Sequence, residues 1–180
     1  MPQRTVFVTV GTTEFSGLIK AVDGEHLHAE LLKQGFSRLI VQYGRGAYRP
    51  SRGKGLEHSS SLVVESYDFK PTLDDDLDAA DLIISHAGAG SILETLRRKK
   101  QLIVVVNDQL MDNHQLELAE ELADRKYLLY AENPSGLCGV LAGYSSHAGN
   151  LVKYPVPDAT PFHALITQEV GVNPVSWRVS

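Results

Sequence analysis

Residues 82–95 read Leu82-Ile83-Ile84-Ser85-His86-Ala87-Gly88-Ala89-Gly90-Ser91-Ile92-Leu93-Glu94-Thr95, and the fold turns on how this stretch is read. Asp81 leads into a short apolar run, then a glycine-rich turn, then a helical pattern: a strand, a tight loop and a helix N-terminus. In an open α/β sheet, ligands bind at such a junction, outside the carboxyl ends of the strands. The free N–H groups and positive dipole end of the new helix suit a phosphate. Gly88 and Gly90 let that phosphate approach the backbone with no Cβ in the way. His86 and Ser91 add side-chain donors. A carboxylate at Glu94 would repel phosphate, so as a ligand group it accepts hydrogen bonds from sugar hydroxyls. The chemistry is that of a nucleotide with a diphosphate and a ribose. Ser91-Ile92-Leu93-Glu94 equally fits a capping box, with Glu94 reaching back to the Ser91 N–H and His86 an ordinary loop residue. Both readings stand at this level.

The 180 residues suit one domain with its own core, and we expect it to span residues 1–171, with 172–180 as a tail. A formal net charge of −5 argues against non-specific binding of nucleic acid. The single cysteine, Cys138, leaves no disulfide framework and no cysteine-based zinc site, which fits a reducing compartment. Met1-Pro2-Gln3-Arg4 runs directly into a strand, so no signal peptide is expected. No apolar stretch reaches the roughly 18 residues that span a bilayer. The expectation is a soluble chain whose membrane association is borrowed from a partner.

Thr5 to Val10 is β-branched and reads as a buried first strand. Gly11-Thr12-Thr13 follows as a tight turn into a helix with Phe15, Leu18, Ile19 and Val22 on one face. With one glycine this turn is neither a dinucleotide fingerprint nor a P-loop. It still offers the Thr12 and Thr13 hydroxyls and backbone N–H groups to a phosphate, and it equally fits an ordinary βα connection. A helix over Leu27–Leu32 stops at Gly35, and Arg38–Tyr43 is a second strand. Residues 44–55 form a loop carrying Arg45, Arg49, Arg52 and Lys54, a basic cluster open to a phosphate, a lipid head group or solvent. Ser61–Glu65 is a third strand. Pro71 begins a short helix with Asp74, Asp75 and Asp76, which answer the helix dipole; adjacent helical positions do not converge on a metal.

After the 82–95 junction the helix runs to Lys99-Lys100, and Leu102–Val106 is a strand buried on both faces, as in a parallel sheet. Asn107–Asn113 leads into His114-Gln115 and an amphipathic helix, and Tyr127–Tyr130 is a last strand. Asn113 and Gln115 therefore sit at a helix N-terminus on the same sheet edge as His86 and Glu94. Their amides, donor and acceptor at once, suit sugar hydroxyls, and helix capping is the alternative. Pro134–Leu137 turns into a short helix, residues 143–161 read as mostly irregular, and 162–170 as a final short helix.

Ser85-His86-Ala87-Gly88-Ala89-Gly90-Ser91, Glu94 and Asn113-His114-Gln115-Leu116-Glu117-Leu118-Ala119, with Val8-Thr9-Val10-Gly11-Thr12-Thr13 in front, carry a resemblance. The chain resembles the C-terminal, donor-binding half of family 28 glycosyltransferases of the GT-B fold, and within them the soluble subunits of the eukaryotic UDP-N-acetylglucosamine (UDP-GlcNAc) transferase. The likeness runs from about Thr5 to Tyr130 and is looser through Leu151–Pro155 and 162–170. It implies a Rossmann-like parallel sheet with helices on both faces. It also implies transfer of GlcNAc from UDP-GlcNAc to dolichol-diphosphate-GlcNAc in a β1,4 link with inversion, for N-glycan precursors. By the same resemblance Glu94 meets the ribose, while Gly11, Thr12, His86, Gly88, Gly90 and Ser91 lie against the diphosphate. Phe69, Lys70 and Leu73 border the uracil, and Asn113 and Gln115 face the sugar. His86 and Gln115 then serve the transfer itself. No cofactor and no bound metal are implied, and no general base is evident in the chain. The acceptor half is expected on a separate membrane-anchored subunit, holding this chain at the cytosolic face of the endoplasmic reticulum. A bacterial-type split transferase for exopolysaccharide and a non-catalytic nucleotide-sugar module are the rival readings.

Overall fold

The computed structural model describes residues 3–50, 62–107 and 114–155, without the side chains of His114 and Gln115. In chain order the elements are β1 (Thr5–Thr9), α1 (Ser16–Val22), α2 (Glu25–Lys33), β2 (Arg38–Gln42), β3 (Val63–Tyr67), α3 (Asp74–Ala79) and β4 (Leu82–His86). There follow α4 (Ala89–Arg97), β5 (Gln101–Val105), α5 (His114–Asp124), β6 (Leu129–Ala131), a 3₁₀ turn at Pro134–Gly136, α6 (Leu137–Ala142) and α7 (Tyr144–Ala148). The expected final helix at 162–170 and the tail at 172–180 lie outside the described residues.

The six strands form one parallel sheet in the order β3-β2-β1-β4-β5-β6. This is a Rossmann-like order, reversing between β1 and β4. β1 is buried throughout, and its alternate side chains enter two cores. Val6 and Val8 point to one face with Leu18, Leu31 and Leu141, and Phe7 to the other with Leu77, Ile92 and Leu122. Helices α1, α2, α6 and α7 thus cover one face, and α3, α4 and α5 the other. Right-handed crossovers produce this split, because a chain that changes direction along the sheet must change face. Each fully buried Leu or Ile contributes about 1.5–3 kcal/mol.

Asp81 closes the entry to both central strands, its carboxylate accepting the Thr5 N–H at 2.8 Å while its own N–H donates to the Thr5 carbonyl at 2.9 Å. Three helices end in the same hydrogen-bonded turn, with a residue at positive φ. After α2 that residue is Gly35, but after α4 and α5 it is Lys99 (φ 60°) and Lys126 (φ 62°). Lysine there keeps its charge beside the helix C-terminus but strains its backbone.

Three expectations are corrected. β3 begins two residues later than Ser61, and the last strand is Leu129–Ala131 rather than 127–130. The region after residue 143, expected to be irregular, opens with α7. Buried Tyr144 packs its ring on Phe36 at 5.6 Å, a tertiary contact that local sequence does not reveal.

Candidate functional site

The sheet order leaves a crevice where the β1–α1 and β4–α4 loops turn to opposite faces. Gly11 opens the first loop at φ +60°, its N–H donating to Thr9 Oγ1 at 3.0 Å. The N–H and hydroxyl of Thr13 both donate to the Val10 carbonyl, at 3.2 and 2.8 Å. Both Thr13 donors are therefore engaged by the turn itself. Thr12 is exposed.

His86 ends β4 with its ring held between two glycines. A Cβ on Gly11 would come within 3.0 Å of His86 Cε1, and one on Gly88 would run into Nε2, closer than real Cβ atoms approach. Nδ1 is buried and makes no well-formed hydrogen bond among the described residues. Burial pushes the imidazole below its ordinary pKa of 6.5, with the Thr9 backbone pulling weakly the other way. The ring is neutral at pH 7, able to donate from one nitrogen and accept at the other.

Helix α4 starts at Ala89 with Gly88 as its N-cap, and no side chain caps it. The capping-box alternative falls, since Ser91 is already inside the first turn. The N–H groups of Ala89, Gly90 and Ser91, in the first turn of the helix, have no acceptor within it. A Cβ on Gly90 would meet nothing within 4 Å, so the protein's own packing does not require glycine there. Ser91 Oγ lies 3.7 Å from where a Gly11 Cβ would be, which joins the two loops. One turn on, the Glu94 side chain is 52% exposed and touches Arg98 at 3.4 Å. Arg98 is shared with Asp74 and Asp78, so Glu94 is held loosely.

On the β2–β3 side, a cavity of about 390 Å³ runs from Gly11 and Thr12 past Gly44, Arg45, Gly46 and Arg49 to Asp68 and Phe69. Phe69 is 67% exposed at its end. Beside it, Lys70 Nζ binds Asp76 at 2.7 Å and sits 4.1 Å above the Tyr67 ring, which anchors the lysine on α3. Leu73 is half-buried against the second core. Asn113 lies outside the described residues, and of Gln115 only the backbone, in the first turn of α5, is described. Among the described residues no group of three His, Cys, Asp or Glu could hold a metal.

Residues 5–154 match the glycosyltransferase family 28 C-terminal domain. The chain belongs to this family. It is 46% identical over 127 residues to the UDP-N-acetylglucosamine transferase subunit ALG13 of Homo sapiens, covering 71% of this chain and 11% of that protein. With the subunit of the same name from Saccharomyces cerevisiae it shares 32% over 197 residues, covering 93% and 96%. The chain therefore spans about a tenth of the human relative and nearly all of the yeast one. An NMR solution structure of ALG13 superposes with a TM-score of 0.66 at 31% identity, covering 94% of this chain and 98% of that one. MurG of Acinetobacter baumannii superposes with the same TM-score at 19% identity, over 93% of this chain and 50% of that one. The fold is that of one half of a GT-B glycosyltransferase.

In this family 28 domain, the residue that sequence reading missed is Gln42. Its buried amide donates to the carbonyls of Gly11 and Asp68 at 2.8 and 2.9 Å. Its oxygen accepts from Thr9 Oγ1 at 2.7 Å and the Val10 N–H at 3.1 Å. With all four positions filled, it ties the β1–α1 loop to the loop bearing Phe69. The signal was present, a polar residue closing the apolar strand Leu39-Ile40-Val41. Asp76 was also missed: it is buried, and Lys70 and the Tyr67 hydroxyl hold it beneath the same loop.

Proposed function

We propose that this chain is the donor-binding subunit of a split, inverting GT-B glycosyltransferase that transfers GlcNAc from UDP-GlcNAc to dolichol-diphosphate-GlcNAc. The observation that carries this reading is the crevice at the strand-order reversal. There His86 is fitted between Gly11 and Gly88, and the uncapped first turn of α4 faces outward beside an available Glu94. The names of the relatives support the donor.

The diphosphate lies against Gly11, Thr12, Thr13, His86 and the N–H groups at Gly88, Gly90 and Ser91. Glu94 accepts hydrogen bonds from the ribose, the uracil lies by Phe69, Lys70 and Leu73, and Asn113 and Gln115 meet the sugar. The acceptor 4-hydroxyl attacks the anomeric carbon as the bond to UDP breaks, inverting the centre to a β1,4 link. Charge gathers on the departing diphosphate, where the α4 N-terminus and a neutral His86 donate hydrogen bonds. No resident metal or cofactor takes part. The acceptor is held by a membrane-anchored partner at the cytosolic face of the endoplasmic reticulum, a reading supported by the relatives being named as transferase subunits.

Glu94→Ala tests the reading. Calorimetry should show UDP binding weakened by about 1.5–3 kcal/mol, the worth of hydrogen bonds to a charged group, with an unchanged melt. Unchanged UDP affinity would remove Glu94 from the site. Transfer assays with the partner subunit, comparing UDP-GlcNAc with UDP-glucose, check the donor sugar.

A further inference from the structure

We propose that Arg45, on the loop after β2, supplies the positive charge of the diphosphate site. The proposal deepens the donor-binding reading above and rests on it. A diphosphate between Gly11 and α4 brings about two negative charges, and the two turns supply only peptide, hydroxyl and imidazole donors, none of them a fixed positive charge. His86 is neutral. Among the described residues the other cations near this edge are occupied: Lys70 by Asp76, and Arg98 by Asp74, Asp78 and Glu94. The Arg49 guanidinium donates to the Tyr43 hydroxyl at 2.6 Å and lies 5.4 Å from that ring's centre. Arg45 lines the same cavity as Gly11 and Thr12, is exposed, and has no ion-pair partner among the described residues.

The loop that carries Arg45 is seated firmly. Gly44 lies at φ +66°, and a Cβ there would fall 2.6 Å from the Thr13 carbonyl and 2.7 Å from Val10 Cγ2. A Cβ on Gly46 would reach Ser16 Oγ at 3.1 Å. The two glycines flanking Arg45 thus let its backbone rest on the β1–α1 loop. Further along, the Tyr48 hydroxyl donates to Asp23 at 2.6 Å. An arginine placed this way meets phosphate oxygens with a planar fork of donors, at little cost in ordering.

Titration of the full-length chain with UDP and with uridine tests the assignment, comparing wild type with Arg45→Met and Arg45→Lys. Arg45→Met should bind UDP about tenfold more weakly, with uridine affinity unchanged and a shallower dependence of UDP affinity on salt. Arg45→Lys should recover part of the loss. Three outcomes would overturn the proposal. UDP affinity in Arg45→Met equal to wild type removes Arg45 while leaving the donor site intact. Equal losses for UDP and uridine, or a lowered melt, make it a base contact or a packing residue. A wild-type chain that binds neither ligand fails the donor-binding reading itself, and the proposal with it.

Discussion

The imidazole of His86 occupies the space that a side chain on Gly88 would need, so the histidine and the glycine form one unit at the head of α4. Gly90, two residues on, has open space around it. The two glycines therefore answer to different demands. Gly88 accommodates the protein's own ring, and Gly90 leaves room for something from outside.

That difference predicts opposite outcomes for the same substitution. Gly88→Ala should displace His86 and cost about 1–3 kcal/mol of stability through overpacking. Gly90→Ala should melt no lower than wild type, since alanine is the better helix former by up to about 1 kcal/mol, yet should bind UDP about tenfold more weakly. Thermal melts beside calorimetry separate the two. If Gly90→Ala binds UDP normally, no phosphate approaches that backbone.

Gln42 makes a second prediction. Gln42→Ala leaves the Val10 N–H and the carbonyls of Gly11 and Asp68 unpaired and should cost about 2–4 kcal/mol. In Gln42→Glu a buried carboxylate would face two carbonyl oxygens, which raises its pKa above the unfolded value near 4.3. The stability of that variant is then fullest below about pH 4 and falls as pH rises toward the folded pKa. Melts of Gln42→Glu that do not change with pH would show that the amide's donors are dispensable.

The depressed pKa of His86 links binding and stability to protons. Folding favours the neutral ring, so the stability it retains at pH 7 should decline as pH falls below the ordinary value of 6.5 toward the folded pKa. His86→Gln should flatten this acid limb of the melting profile. A diphosphate beside the ring favours the imidazolium, so UDP binding near pH 6 should take up protons. Calorimetry in buffers of different ionisation enthalpy measures that uptake, which should be smaller in His86→Gln, where only the phosphate of UDP itself still titrates.

The two strained lysines predict a gain. Lys99→Gly and Lys126→Gly relieve positive-φ backbone at helix C-termini, and each should raise stability by about 0.5–1 kcal/mol, net of glycine's extra freedom when unfolded. Both lie away from the crevice, so UDP affinity should stay as it is. Lower melts would mean that the lysine charges at the helix ends outweigh the strain.

Much of the fold was legible because its signals are local. The β-branched run at Thr5–Val10, the apolar run at Leu102–Val106 and the glycine-rich turn at 87–90 each carry their own reading. The elements that slipped depend on distant partners. α7 forms where Tyr144 meets Phe36, and the Lys70 ammonium is drawn to Asp76, buried six residues away. Whether Ser91 capped α4 was undecidable from its spacing to Glu94, because both readings require the same residues. The backbone decided it by starting the helix at Ala89.

By itself the sequence determined an alternating strand-and-helix chain, with a phosphate-suited turn after the fourth strand and a polar turn after the first. Periodicity and turn chemistry act over a few residues, and that is the range at which they can be read. Only the tertiary structure decided that these two turns meet across a strand-order reversal, with His86 closed between Gly11 and Gly88 and the first turn tied by Gln42 to the loop bearing Phe69. Those contacts join residues tens of positions apart. Their formation depends on which strands lie side by side, and that is settled by burying two apolar faces at once rather than by any single segment.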